Sequence, residues 1–161
     1  MAAGCAGSSH SKSSSGSGTG HLSTSSPAGA GDTVTREAYV ANADKVCTAA
    51  HAQQDVLRRQ SQGLTLDHVA PLLNQQATVA SDLAAKLKAL AHPPSDDAPV
   101  ATFISSVQQI ATDSTNLAKA ITAGETTSET TLRAQLIQDR LTEHAIGEGY
   151  GYKVCATGTS Y

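Results

Sequence analysis

The histidines are the first residues in the chain that could do chemistry, because imidazole binds metals and haem and transfers protons. Four of them follow the N-terminal low-complexity segment, each in a different helix or turn: His51, His68, His92 and His144. A metal site on a helical bundle requires Glu-x-x-His on facing helices, or two His four residues apart. Glu143 and His144 are directly adjacent, which is the wrong spacing. We expect no metal site and no cofactor, with a haem or metal carrier using His51, His68 or His144 as an alternative.

A nucleophilic serine is the second candidate. Serine hydrolases carry Gly-x-Ser-x-Gly on a strand-turn-helix scaffold, and Ser-Gly-Ser-Gly at residues 15–18 matches this only superficially, within a linker. The acidic residues Asp82, Asp96 and Asp97 are interpreted as solvated positions or helix caps. No catalytic residue is predicted, and we expect that the protein is not an enzyme.

The cysteines bear on the cellular compartment. Cys47 lies in the middle of a helical pattern and Cys155 near the C-terminus, so pairing these two leaves Cys5 over. Their disulfide would close a loop of 108 residues (155 − 47), worth about 4–5 kcal/mol in chain entropy. The alternative is two buried reduced thiols in a cytosolic bundle. The long polar arm favours the disulfide, because it independently suggests an exported protein.

The sequence before Cys5 is Ala2-Ala3-Gly4. It resembles the small-residue box that ends a bacterial lipoprotein signal, in which the Cys after Gly is lipidated. Ala2 stands where that box normally has Leu, and the charged and apolar regions of a signal peptide are absent between Met1 and the box. Lipidation of Cys5 is therefore predicted if the full gene supplies the signal; a chance Cys in a low-complexity tail is the alternative.

Composition excludes two classes of function. Lys and Arg total 11 with a net charge of −3, and Arg58-Arg59 is the only adjacent basic pair. Nucleic-acid binding needs a dense cationic face and usually aromatic platforms, so no nucleic-acid partner is expected. No run approaches the roughly 18 apolar residues of a membrane span.

The first 33 residues differ in composition from the rest. Residues 1–33 comprise the lipobox-like start and a Ser/Gly-rich stretch that is almost free of apolar side chains. Such a stretch cannot bury enough surface to offset its ordering entropy. We predict a disordered tether with a reach of about 30 Å, followed by a folded domain over 34–155 and a tail over 156–161.

Apolar periodicity predicts four helices in the folded domain. The first spans about 36–60 and begins after Thr35 as N-cap. The second follows Thr65 or Asp67; Pro71 is tolerable if residues 64–67 form a turn before the helix. His92-Pro93-Pro94 ends it.

The third helix opens at Asp96 or Asp97 and ends at Gly124. The fourth is predicted over about 128–146, with residues 147–155 too Gly-rich for a stable helix. Its inward-facing residues are predicted to be Leu132, Leu136, Ile137, Leu141 and Ala145. Its solvated residues are predicted to be Arg133, Asp139, Arg140 and Glu143.

Helices of this length with short polar turns predict an all-α fold, an up-down antiparallel bundle of about four helices. A Cys47–Cys155 bond would staple the closing segment to the first helix. Tyr150 and Tyr152 would then cover the core with their hydroxyls at the surface.

The whole layout is similar to that of actinobacterial secreted lipoproteins and related small exported helical proteins. The resemblance is carried by the lipobox, the Ser/Gly/Thr/Pro arm, Arg36-Glu-Ala-Tyr-Val-Ala-Asn-Ala-Asp-Lys-Val-Cys47, the Leu-Lys-Ala-Leu-Ala-His-Pro-Pro94 helix end and Tyr150-Gly-Tyr-Lys-Val-Cys155. It implies an extracytoplasmic protein, secreted or anchored to the membrane by lipid on Cys5. We expect a non-catalytic binding or interaction module with a protein or cell-envelope partner; an extracytoplasmic small-ligand or haem/metal carrier is the alternative, and an enzyme is disfavoured.

Overall fold

The computed structural model describes residues 34–157, and they form the predicted all-α bundle. Its four helices are α1 (Arg36–Ser61), α2 (Leu66–Lys88), α3 (Asp97–Ala123) and α4 (Thr126–Tyr150). Two short 3₁₀ helices, Pro94–Asp96 and Cys155–Thr157, precede α3 and follow α4. The predicted disordered arm, with Cys5, lies outside the described residues.

The start of α1 follows the predicted capping chemistry. The Thr35 hydroxyl accepts a hydrogen bond from the Ala38 amide at 3.2 Å, which satisfies one of the free N–H groups of the first turn. Glu37 lies in that turn and two arginines lie in the last turn, so charge at both ends favours the helix dipole.

The first of the two predicted starts of α2, after Thr65, is confirmed, whereas the predicted turn over 64–67 is wrong and Pro71 lies inside the helix. The helix already begins at Leu66 with Thr65 as N-cap, so Pro71 occupies the sixth helical position and cannot donate to the Asp67 carbonyl. Ala70 and Leu72 on either side of it are buried. Their packing offsets the cost of the missing hydrogen bond.

The end of α4 corrects a second prediction, because the helix continues through two glycines to Tyr150. Gly147 packs so closely on the C-terminal segment that a Cβ there would lie 3.1 Å from Ala156 and from Phe103. This packing outweighs the low helix propensity of Gly, about 1 kcal/mol. The helix ends at Gly151, whose φ is +103°, a conformation that strongly favours glycine.

The inner face of α4 is also rotated from the predicted one. Ile137 and Leu141 are 58% and 57% exposed, and Ala145 is exposed as well, whereas Glu143, predicted to be solvated, is buried. Gly147 explains the rotation, because its close approach to the C-terminal segment dictates which side of the helix faces inward. The most apolar stripe of α4 is therefore not its buried stripe.

Sequential helices pack against each other, most extensively α2 against α3, whereas α1 and α4 meet chiefly through the Cys155–Thr157 segment. A large apolar cluster at that end contains Tyr39, Leu87 and Phe103. A smaller cluster towards the opposite end contains Leu73, Leu117 and Leu136 and has no aromatic residue among the described ones. None of the helices in 34–157 has the length and apolar character required to cross a bilayer.

Candidate functional site

The predicted disulfide joins α1 to the segment after α4. Cys47 and Cys155 are bonded with their Cα atoms 5.1 Å apart, and both residues are almost completely buried. Burial removes the sulfur atoms from external thiols and thiolates, so the bond is shielded from exchange. It has a structural role.

A carboxylate on α1 supports the same connection. Asp44 accepts hydrogen bonds from three successive backbone amides, those of Lys153, Val154 and Cys155, at 3.1, 2.9 and 3.0 Å. Charge-assisted bonds of this kind are stronger than neutral ones. In the sequence Asp44 resembles any solvated helical acid, because its partners lie about 110 residues away.

Asp96 forms a second polar connection at this end. Arg36 donates two hydrogen bonds to its carboxylate, at 2.8 and 2.6 Å, and the Tyr150 hydroxyl donates a third at 2.8 Å. The hydrogen bonds from Arg36 hold the pKa of Asp96 well below its usual value, although burial opposes the shift. Asp96 does occupy the N-cap position of α3, but its side chain makes no capping bond; it joins α1, α3 and α4 instead.

The aromatic side chains gather beside these connections. Tyr39, Tyr150 and Tyr152 are all buried, so the prediction that the last two expose their hydroxyls is wrong. The Tyr152 hydroxyl donates to that of Tyr39 at 3.2 Å, and the Tyr150 hydroxyl is used by Asp96. Burial raises the pKa of Tyr150 and of Tyr152, so both hydroxyls keep their protons at physiological pH.

A small cavity of about 50 Å³ lies beyond the disulfide, where all four helices border one another. Its polar lining residues are His51 and Gln54 on α1, with Arg140 and Glu143 on α4. Aliphatic side chains of α2 and α3 line the rest: Ala80, Leu83, Val107 and Ile110. The volume matches one or two water molecules.

Glu143 is the acidic residue among those that line this cavity, and its pKa is strongly raised. It is 8% exposed and lines the cavity together with Arg140 of the same helix. Burial raises its pKa to about 7, with Arg140 and His144 acting in the opposite direction. Burial also lowers the pKa of His51, so at neutral pH the imidazole is neutral while Glu143 is partly protonated.

A second pair of acids lies between α3 and α4. Asp113 is buried and accepts from Gln109 Nε2 at 3.1 Å through both carboxylate oxygens. Burial and the neighbouring Asp139 carboxyl raise its pKa. Asp139 Oδ1 accepts from Gln135 at 2.9 Å, whereas its Oδ2 is buried without a partner among the described residues. The neutral form of Asp113 is therefore favoured by its surroundings.

The histidines named as an alternative metal or haem set do not converge. His51 lines the cavity, His68 is hydrogen-bonded to the Thr65 hydroxyl, and His144 bonds to the Ala156 carbonyl. No group of three or more His, Cys, Asp or Glu suited to a metal ion is found within the described part of the chain. A cavity of about 50 Å³ is also far below the roughly 300 Å³ at which ligand pockets begin.

Larger depressions lie on the outer surface of the bundle. One of about 410 Å³ runs beside Lys88, His92 and Ile104, and one of about 560 Å³ runs between α3 and α4 past Gln109 and Asp139. Both are shallow and open to solvent, unlike the concave pockets that enclose most of a small ligand.

At the cavity, a pKa of about 7 allows Glu143 to exchange a proton near neutral pH. As formed by residues 34–157, the cavity of about 50 Å³ is smaller than the pockets that hold organic ligands. Of the predicted site residues, Cys47 and Cys155 are brought together and Cys5 lies outside the described residues. Glu143 was missed, because a charged residue among polar neighbours on a helix reads as solvated. Comparison of the chain with protein-family models, curated proteins and solved structures finds no match in any of the three.

Proposed function

We propose that the chain is an extracytoplasmic helical-bundle protein, anchored through lipid on Cys5, that acts as a non-catalytic binding or interaction module. The observation that carries the location is the buried Cys47–Cys155 disulfide. Structural disulfides persist in oxidising compartments and are rare in the cytosol. The lipobox-like Ala2-Ala3-Gly4-Cys5 start and the Ser/Gly-rich tether support the same location.

A binding role agrees better with the bundle than catalysis does. Glu143 and His51 border a cavity with room for one or two water molecules, so an organic substrate has no access to both groups at once. The neighbouring depressions are shallow. A partner that contacts the outside of the bundle needs neither a pocket nor a reactive group.

The partner surface we propose is the outer face of α4, and its occupant is a protein of the cell envelope. Ile137 and Leu141 lie one helical turn apart and expose more than half of their surface. Adjacent exposed aliphatic side chains on a polar helix cost free energy in water, and a protein contact would remove that cost.

The location is tested with the full-length gene in its native host. Intact-mass measurement after rapid alkylation is expected to find lipid on Cys5 and no alkylation at Cys47 or Cys155. Cys5→Ala is expected to move the protein from the membrane fraction to the soluble or secreted fraction. Alkylation of both remaining cysteines in untreated cells would contradict an extracytoplasmic location.

The binding role is tested by photo-crosslinking in the same host. A crosslinker at Leu141 is expected to give one discrete adduct with an envelope protein, and Ile137→Ser should reduce its yield. A crosslinker at Val56, which is 44% exposed on α1, serves as the matched control. Equal adducts at both positions, or none at Leu141, would argue against this surface.

A further inference from the structure

The segment that follows α4 is held on α1 by two adjacent groups. The Asp44 carboxylate accepts hydrogen bonds from the amides of residues 153–155. Cys47 forms the disulfide with Cys155. Because Asp44 and Cys47 are three residues apart on α1, they lie on the same side of the helix. The carboxylate that binds the backbone of Cys155 is therefore one turn away from the sulfur that receives its side chain.

Several contacts of this segment do not involve its sulfur atom. Successive backbone N–H groups that converge on one carboxylate form a favourable anion site, and their bonds are charge-assisted. Tyr152 packs on Phe103 with ring centroids 4.6 Å apart and is 4% exposed. The disulfide acts mainly by restricting the unfolded chain, so the stability of the whole bundle and the docking of this segment are separate quantities. The noncovalent contacts can therefore form while both thiols are reduced.

Three cysteines allow more than one pairing in an unfolded chain. The probability of loop closure falls roughly as the −3/2 power of loop length. Cys5 and Cys47 are 42 positions apart (47 − 5), whereas Cys47 and Cys155 are 108 apart. Chain statistics alone would thus favour the Cys5–Cys47 bond by about fourfold. The pairing in the structure therefore requires a contact that acts before the bond forms.

We propose that Asp44 is a positioning residue for disulfide formation. It docks residues 153–155 on α1 while the thiols are reduced, and it thereby selects Cys155 as the partner of Cys47. The contact is the same whether or not Cys5 carries lipid, so this inference does not depend on the proposed function.

The oxidation is an exchange with a small disulfide such as oxidised glutathione. One cysteine thiolate attacks it while the segment is briefly open, which forms a mixed disulfide and releases one glutathione thiolate. Docking then brings the second thiolate to the mixed disulfide, and its attack releases the other glutathione thiolate. The two electrons and two protons of the cysteine thiols thus pass to two molecules of reduced glutathione.

Hydrogen exchange of the reduced chain, followed by NMR with a dithiol reductant present, tests the docking step. The amides of residues 153–155 are expected to remain protected although no disulfide is present. In Asp44→Ala their opening equilibrium should rise on the order of 30-fold, because they lose a charged acceptor. Asp44→Asn, which keeps one acceptor oxygen without the charge, should fall between the two. Exchange of these amides at the rate of an unstructured peptide in the reduced wild type would overturn the proposal.

Oxidation of the same chains by glutathione tests the selection of the partner. Peptide mapping after rapid trapping is expected to find Cys47–Cys155 as the main bond in the wild type. In Asp44→Ala the ratio of Cys5–Cys47 to Cys47–Cys155 should rise towards the value of about four that loop closure alone gives. A ratio that is the same in both chains would overturn the proposal.

Two controls separate positioning from a general loss of stability. Leu136→Ala, in the apolar cluster at the opposite end, should lower the free energy of unfolding without changing the pairing or the protection of residues 153–155. Asp55→Asn removes another acid of α1, one paired with Arg58, and should change neither. A shift in pairing as large in Leu136→Ala as in Asp44→Ala would overturn the proposal. If Asp44→Ala fails to fold, exchange of the reduced wild type still decides.

Discussion

At the disulfide-linked end of the bundle, α1 is joined to the segment that follows α4 by a covalent bond and by a carboxylate that accepts hydrogen bonds from three backbone amides, and a buried aromatic cluster lies beside them. At the opposite end, the core is a small aliphatic cluster with Leu136 as the buried contribution of α4. Between the two lies the cavity with Glu143. A single helix thus belongs to two environments, one closed by specific polar contacts and one closed by limited apolar burial.

The difference explains how α4 can be polar and still be helical over 25 residues. Apolar burial does not determine which side of this helix faces inward. The contacts of Gly147 and Tyr150 determine the inward side at the C-terminal end. Because the helix is continuous, the same orientation extends to its other residues. Acids that fall on the inner side are then buried as a consequence.

The largest expected effect comes from removing the disulfide. Cys47→Ala with Cys155→Ala should lower the free energy of unfolding by about 3–5 kcal/mol, because the bond closes a loop spanning 108 positions. Urea denaturation followed by circular dichroism measures it. A loss below about 1 kcal/mol would mean that the polar contacts around Asp44 hold this end without the bond.

The next effect concerns the buried acid and has the opposite sign. Glu143→Gln should stabilise the protein at about pH 8 by up to about 3 kcal/mol, because the wild type then carries a buried charge whose pKa is raised to about 7. Below about pH 4.5 the Glu143 carboxyl of the wild type is neutral, like the amide of the variant, and the difference in the free energy of unfolding should vanish. Urea denaturation at both pH values gives the comparison, and stabilisation that is equal at both would contradict a titrating carboxyl.

Two neighbouring residues test the rotated face of α4. Leu136→Ala should cost about 2–3 kcal/mol, because Leu136 is buried in the smaller cluster. Ile137→Ala, at a position 58% exposed, should change stability by less than about 0.5 kcal/mol. Thermal or urea unfolding of the pair decides between this face and the one predicted from apolarity, which would make both substitutions costly.

Two glycines two residues apart test the close packing at the other end. Gly147→Val should cost about 2–3 kcal/mol, because even a Cβ would lie 3.1 Å from the Ala156 backbone. Gly149→Val should be near neutral, since a Cβ there meets nothing within 4 Å. The same unfolding measurement checks both; equal costs would indicate that helix propensity alone governs this segment.

The sequence predicted what depends on local patterns. Apolar spacing and capping residues located the four helices, with Thr35 and Gly124 at their predicted ends. The choice of Cys155 as the partner of Cys47 followed from sequence context, because the third cysteine, Cys5, lies in the Ser/Gly-rich arm. The end of α4 was predicted too early, because Gly147 was judged only by its low helix propensity. That reading omits the contact with Ala156, which only the folded chain creates.

The candidate site was much less predictable. Glu143 and Asp139 stand among polar residues, and their burial follows from anchors elsewhere on α4 rather than from their own neighbours. Asp44 and Asp96 find their partners 110 and 60 residues away. A periodicity argument, which compares residues only a few positions apart, contains no information about such pairs.

The contrast between the two parts of α4 is tested most directly by hydrogen exchange at neutral pH in low, sub-denaturing urea. We predict that amides of residues 130–139 open through a local fluctuation, well before amides of residues 147–150, which should exchange only with global unfolding. Identical opening free energies along the whole of α4 would contradict the account, because the helix would then be held with the same strength at both ends.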